Sequence, residues 1–300
     1  MIWRYQSRCE NGFTLVELLI AMAASGLLLG AMISALITQR KSYDRQAQHA
    51  EMVLNLRTAM DWISRDLRTA GYGVPRSRLS EWINWVRDAE GKPIALTGAV
   101  QIIPDASGQD TLILVGCFDP PIGTLQGLPT PLLSRELELR YTNPAKKLAA
   151  KSRQILYIGR NENALVTALQ RVGRRGDRVR IDTSISKPGD QPISGVYVAA
   201  LTDRLSVERL GVITYRVEID KKRYDMPTPV LKRDENTGGG AQPLAEYIER
   251  LTLIREGTIV TISLTARTPK PDPTYRHPTA HDGYRRLTFT STVRLRNGRV

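Results

Sequence analysis

Hydrophobic and polar positions divide this chain into three regimes. Residues 13–37 are apolar or uncharged with one exception, the carboxylate Glu17. About 25 such residues at a rise of 1.5 Å reach roughly 37 Å, enough to cross a bilayer core with some tilt. Residues 42–69 contain no Gly or Pro, and Met52, Leu56, Ala59, Ile63, Leu67 and Ala70 recur at spacings of three and four. That is one buried stripe on an amphipathic helix. Gly71, Gly73 and Pro75 then stop the run. The spacing therefore predicts a single helix over residues 13–70, about 58 residues and roughly 87 Å long.

Beyond residue 71 the dominant period is two. Ile213, Tyr215, Val217 and Ile219 alternate with Thr214, Arg216, Glu218 and Asp220. Val260, Ile262, Leu264 and Ala266 alternate with Thr261, Ser263, Thr265 and Arg267, and Leu287, Phe289, Ser291, Val293 and Leu295 with Thr288, Thr290, Thr292, Arg294 and Arg296. Each reads as a strand with one wet face, hence an antiparallel sheet. Shorter candidate strands cover residues 111–115, 136–141, 154–158, 164–169 and 196–201. Stretches rich in Pro, Gly and polar residues at 104–109, 120–131, 227–243 and 269–283 read as loops. The predicted fold class is α+β: a long N-terminal transmembrane and amphipathic helix, then a globular domain of mostly antiparallel sheet. Residues 71–300 suffice for one sizeable core, favoured over two small β lobes.

Glu17 needs explaining, because a carboxylate in an apolar span costs on the order of 3 kcal/mol near the bilayer centre and asks for a partner. An ordinary secretory signal fits poorly, since the apolar run passes into Thr38, Gln39, Arg40 and Lys41 rather than a small-residue cleavage site. A simple anchor would let Glu17 snorkel to the interface near a helix N-terminus. Charge leaves orientation open, since Arg4 and Arg8 before the span are matched by Arg40, Lys41 and Arg45 after it.

A short charged leader ending in Gly12, followed by Phe-Thr-Leu-Val-Glu-Leu-Leu-Ile, resembles the N-terminus of type IV prepilins and of type II secretion pseudopilins. The resemblance implies that a prepilin peptidase cuts between Gly12 and Phe13 and methylates the new amino terminus at Phe13. It implies that Glu17 then pairs with the amine of a neighbouring subunit, relieving the burial cost of both charges. Residues 1–12 would be the cytoplasmic leader and 13–38 the transmembrane half of the helix. Residues 39–70 would be its amphipathic continuation, and 71–300 a β-rich periplasmic domain. Segments 108–115, 213–219, 243–254 and 293–297 are similar to parts of the PilW-type minor pilins, related to the J-type minor pseudopilins. Family members often carry a cysteine pair in the globular domain. Here Cys9 lies in the leader and Cys117 stands alone in the mature part.

The formal charge is +13, and losing Arg4, Arg8 and Glu10 with the leader removes one net positive, leaving +12. The densest basic region holds Arg171, Arg174, Arg175, Arg178 and Arg180 with Asp177 as its nearest acid, downstream of Lys146, Lys147, Lys151 and Arg153. This is a candidate polyanion patch for DNA or an anionic polysaccharide, held without sequence preference. Only Tyr157 and Tyr197 fall nearby, so stacking of single strands has no support. A solvated face, or a complement to acidic partner subunits, explains the same charges.

Catalytic patterns are weak. His277, His281 and Asp282 lie in a Pro-rich loop and would need a ligand from elsewhere to hold a metal. Gly238, Gly239 and Gly240 lack the Lys-Ser or Lys-Thr of a phosphate loop. Asp234, Glu235 and Asn236 read as an acidic turn rather than a Ca²⁺ loop. The expectation is a structural protein, not an enzyme, with no cofactor and no metal. It would help prime or cap a type IV pilus, at its base or tip, from a single-pass position in the inner membrane. Expected partners are other minor and major pilins or pseudopilins, the prepilin peptidase and the inner-membrane assembly platform. The alternatives are a minor pseudopilin of type II secretion, or a membrane-tethered module that binds nucleic acid or another polyanion.

Overall fold

The computed structural model describes residues 14–74, 86, 92–105, 108–125, 136–141, 154–160, 163–169, 171–172, 178–180, 206–221, 226–236 and 239–297. It divides into two units, residues 1–51 and 52–300. Helix α1, Leu15–Thr69, contributes to both. In the first unit its apolar side chains, among them Leu18, Leu28, Met32 and Ile37, stay exposed, and this section is long and apolar enough to cross a membrane.

In the second unit the helix buries the stripe the spacing predicts. Met52, Leu56, Ala59, Ile63, Leu67 and Ala70 are each at most 2% exposed. Large apolar side chains buried this completely contribute about 1.5–3 kcal/mol apiece. The helix ends where glycine permits it. Gly71 has φ +83°, a conformation costly for a side chain, and an added Cβ would meet the main-chain oxygen of Asn297 at 3.0 Å.

Two antiparallel sheets follow. The larger contains β1 (Val100–Ile103), β2 (Thr111–Gly116), β3 (Gly123–Leu125), β4 (Glu136–Tyr141), β5 (Gln154–Arg160), β6 (Asn163–Leu169), β7 (Arg171–Val172), β8 (Arg178–Arg180), β9 (Ser206–Asp220), β10 (Thr228–Asp234) and β11 (Gln242–Glu246). Its main path runs β1-β2-β9-β3-β4-β8-β7. β10 joins β9 to β11, and β5 joins β9 to β6. The smaller sheet is β12 (Ile248–Glu256), β13 (Ile259–Arg267) and β14 (Arg286–Arg294), in that order. The principal core lies between α1 and both sheets, with Leu112, Leu114, Ile213, Tyr215 and Leu231 from one and Leu251, Val260, Ile262, Leu264 and Val293 from the other.

The α+β class is as expected, and β2, β4, β5, β6, β9, β13 and β14 fall on predicted strands, whereas β1, β7, β8 and the nine-residue β12 do not. β13 alternates along its whole length between buried and wetter positions. β14 keeps Thr288, Thr290 and Thr292 exposed opposite Leu287, Phe289 and Val293. β9 departs from a one-faced strand. Thr214 is 3% exposed and Ile219 is 52% exposed, because β9 crosses the middle of the sheet and a second small core of Ile113, Val115, Leu210 and Val212 covers its other side. Two predicted loops contain strands: β3 lies within residues 120–131, and β10 and the start of β11 within 227–243. Burial of Val230 and Leu231, both fully inaccessible, outweighs the flanking prolines in β10. The candidate strand at 196–201 lies outside the described residues.

The seam between the sheets is closed by one main-chain bond and several side-chain bonds rather than by a ladder. Asp110 donates its N–H to Leu251 O (2.8 Å) and accepts the Leu253 N–H on Oδ2 (2.6 Å). Gln109 Nε2 donates to Glu249 O (3.1 Å), and Arg255 Nη1 to Val100 O (2.9 Å). One edge of the small sheet, β12, is thereby sealed.

Candidate functional site: the N-terminal turn of the helix

Thr14 precedes α1 and caps it. Its Oγ1 accepts the Glu17 N–H (3.2 Å), while Glu17 Oε2 accepts both the Thr14 N–H (3.0 Å) and the Thr14 hydroxyl (2.9 Å). This reciprocal arrangement is a capping box, which satisfies main-chain donors left over at a helix start. The Glu17 carboxylate is thus held at the positive end of the helix dipole, in an apolar segment, folded toward the residue that follows Phe13. Thr14 was not singled out by the apolar pattern, although Thr-Leu-Val-Glu carries the spacing of such a box. Gly12 and Phe13 lie outside the described residues.

Downstream, a buried polar network ties α1 to the larger sheet. The Tyr215 hydroxyl donates to Asp66 Oδ2 at 2.5 Å, and Arg233 Nε bonds the same oxygen at 3.1 Å. Burial, with the Asp66 carboxylate beside it, pushes the Tyr215 phenol far up, so it stays protonated and donates. Arg233 also pairs with Glu235 at 2.6 Å and stacks on Trp62, whose ring lies 5.2 Å away. These partners are separated by up to 167 residues, and the linear pattern carried no signal for them.

The arginine patch is placed only in part. Arg171 lies in β7 and Arg178 and Arg180 in β8, with Arg171 opposite Arg180 in register. β8 pairs on its other side with β4, which sets Glu136 opposite Arg180 and Glu138 opposite Arg178. The register therefore brings acidic positions to a region whose local sequence is almost wholly basic. Arg174 and Arg175 lie outside the described residues, as do Lys146, Lys147, Lys151 and Arg153.

The remaining candidates are structural in their contacts. Cys117 is buried, and burial, followed by the nearby Glu208 charge, raises its thiol far above the usual range. His277 Nδ1 accepts the main-chain N–H groups of Thr279 (3.2 Å) and Ala280 (3.1 Å). Asp282 pairs with Arg286 at 2.7 Å, and that arginine holds its carboxyl down to about 2. Asp234 Oδ1 accepts the Asn236 N–H at 2.8 Å, an Asx turn with Asn236 at φ 52°.

Residues 7–33 match the family model described as the prokaryotic N-terminal methylation motif. The matched stretch contains Gly12, Phe13, Thr14 and Glu17, and it supports a precursor of the type IV pilin-like and pseudopilin class. The apolar helix and this motif together fit a membrane-anchored protein. No curated protein and no solved structure matches the chain.

Proposed function

We propose that this chain is a minor pilin of the PilW type. It is a structural subunit that is cleaved between Gly12 and Phe13, methylated on Phe13, and incorporated into a type IV pilus to prime or cap its assembly. The observation that carries this reading is the methylation motif over residues 7–33, with Glu17 at the first helical turn. Thr14 keeps the carboxylate beside the point where cleavage would free an amine, and a neighbour's amine there would compensate its charge within the bilayer. The leader stays cytoplasmic and the β-rich domain enters the periplasm. Partners are other pilins, the prepilin peptidase and the assembly platform, and the chain has no catalytic part in the process.

Shearing pili from the native cell tests the proposal. The chain should appear in purified filaments at low copy, and its deletion should sharply lower filament number. Normal pili in the deletion strain, together with loss of secretion of a folded exoprotein, would assign the chain to a type II pseudopilus instead.

A further inference from the structure

Among the described residues, the small sheet has one sealed edge and one open edge. Among the described residues no strand pairs with the outer side of β14, while all nine of its residues pair with β13 without a register shift. The ends of that ladder fix which groups face outward. The Leu295 N–H donates to Thr258 O, and the Thr268 N–H donates to Arg285 O. Antiparallel pairs alternate, so odd-numbered residues of β14 turn their main-chain groups toward β13. Thr288, Thr290 and Thr292 turn theirs to the open edge.

Exposed edges are usually guarded by Lys, Pro or a bulge. Between Leu287 and Val293 this strand has none of these, and its only charges are the terminal Arg286 and Arg294. Its sequence also reads almost alike from both ends. Around Thr290, Ser291 mirrors Phe289, Thr292 mirrors Thr288, Val293 mirrors Leu287, and Arg294 mirrors Arg286.

From this we propose that β14 is a homotypic docking edge, pairing antiparallel with β14 of a second copy about a two-fold axis through Thr290. In that register Leu287 and Phe289, which pack on the core side, stay on the inner face opposite Val293 and Ser291 of the second copy. The threonines stay on the wet face. Three hydrogen-bonded residue pairs form, centred on Thr290, with about six main-chain bonds between them. An off-centre slip by one residue would set each inner face against an outer one. The arrangement closes on itself, so it yields a dimer and not a fibre. Arg286 would approach Arg294 of the second copy, but it already carries Glu249 at 2.5 Å and Asp282 at 2.7 Å, which offset that repulsion.

Variants of the full-length chain with one introduced cysteine, Cys9→Ser in each and Cys117 left buried, test both the pairing and its register in neutral detergent. Directly opposite hydrogen-bonded residues have Cα atoms about 5.5 Å apart, within disulfide reach. Thr290→Cys should therefore form a linked dimer under mild oxidation. Thr288→Cys alone lies four residues, roughly 13 Å, from its own copy and should cross-link at least ~10-fold more slowly. Mixing Thr288→Cys with Thr292→Cys should restore the fast rate. Thr290→Pro, which removes an outward-facing donor and the exposed hydroxyl contact with Ser263 Oγ (3.2 Å), should leave thermal stability near wild type and abolish the dimer mass in sedimentation. Equal rates for all the cysteine variants, or a dimer that survives Thr290→Pro, would overturn the proposal.

Discussion

Glu17 is held by three hydrogen bonds to or from Thr14, so the group that costs most in the bilayer is also the group with the best-defined surroundings at this end of the chain. Replacing it with Val removes the carboxylate and its cost of roughly 2–3 kcal/mol, while the Thr14 hydroxyl still caps the helix. The proposed role predicts that Glu17→Val leaves membrane insertion and cleavage intact but lowers recovery of the chain with its partner pilins. Co-purification equal to wild type would show that Glu17 has no pairing role. This residue was legible from sequence because it is the one ionisable group in the 25-residue span 13–37. Its cap was legible in principle, at a spacing of three, but the apolar run drew attention away from Thr14.

At the scale of elements, the contact between α1 and the sheets within residues 52–300 rests on apolar burial plus the Asp66, Tyr215 and Arg233 network. Tyr215→Phe keeps the ring and leaves Asp66 short of a buried donor. It should cost about 1–3 kcal/mol in urea unfolding. A change within error would show that Arg233 alone satisfies the carboxylate. The loop before β14 is fastened differently, by Arg286 holding Asp282 and Glu249 and by Arg285 holding Asp272. Because the Asp282 carboxyl is lowered to about 2, chiefly by its hydrogen bond from Arg286, the contribution of the Asp282–Arg286 pair is complete above pH about 4. It is lost as pH falls through about 2. Carboxyl NMR should show that midpoint, and Arg286→Gln should return it toward the ordinary value near 3.9. An unmoved midpoint would separate the two groups. Sequence reading recovered β13 and β14 because their alternation survives over nine residues. It missed β10, where Pro227 and Pro229 at the start of the strand signal a loop although Thr228 to Leu231 are all buried. No linear pattern joins Asp66 to residues 149 and 167 positions away.

At the scale of the whole molecule, the net charge of +13 and the α+β order were both legible, whereas the partners of the basic region depended on strand register. Setting Glu136 and Glu138 opposite Arg180 and Arg178 favours a modest polyanion affinity. The full-length chain in detergent should bind duplex DNA weakly at low salt and lose binding near physiological salt. Changing Arg174, Arg175 and Arg178 to Ala should lower the log-log salt slope by roughly two to three units. Submicromolar, arginine-dependent binding at physiological salt would place DNA capture above a purely structural role. The central claim, that this is a pilin-type precursor processed at its leader, meets its most direct test at the amino terminus. Mass spectrometry of the chain from its native membrane should find a methylated Phe13, and Gly12→Val should block the cut by placing a side chain at the bond. An intact Met1 terminus in a peptidase-competent cell would contradict it.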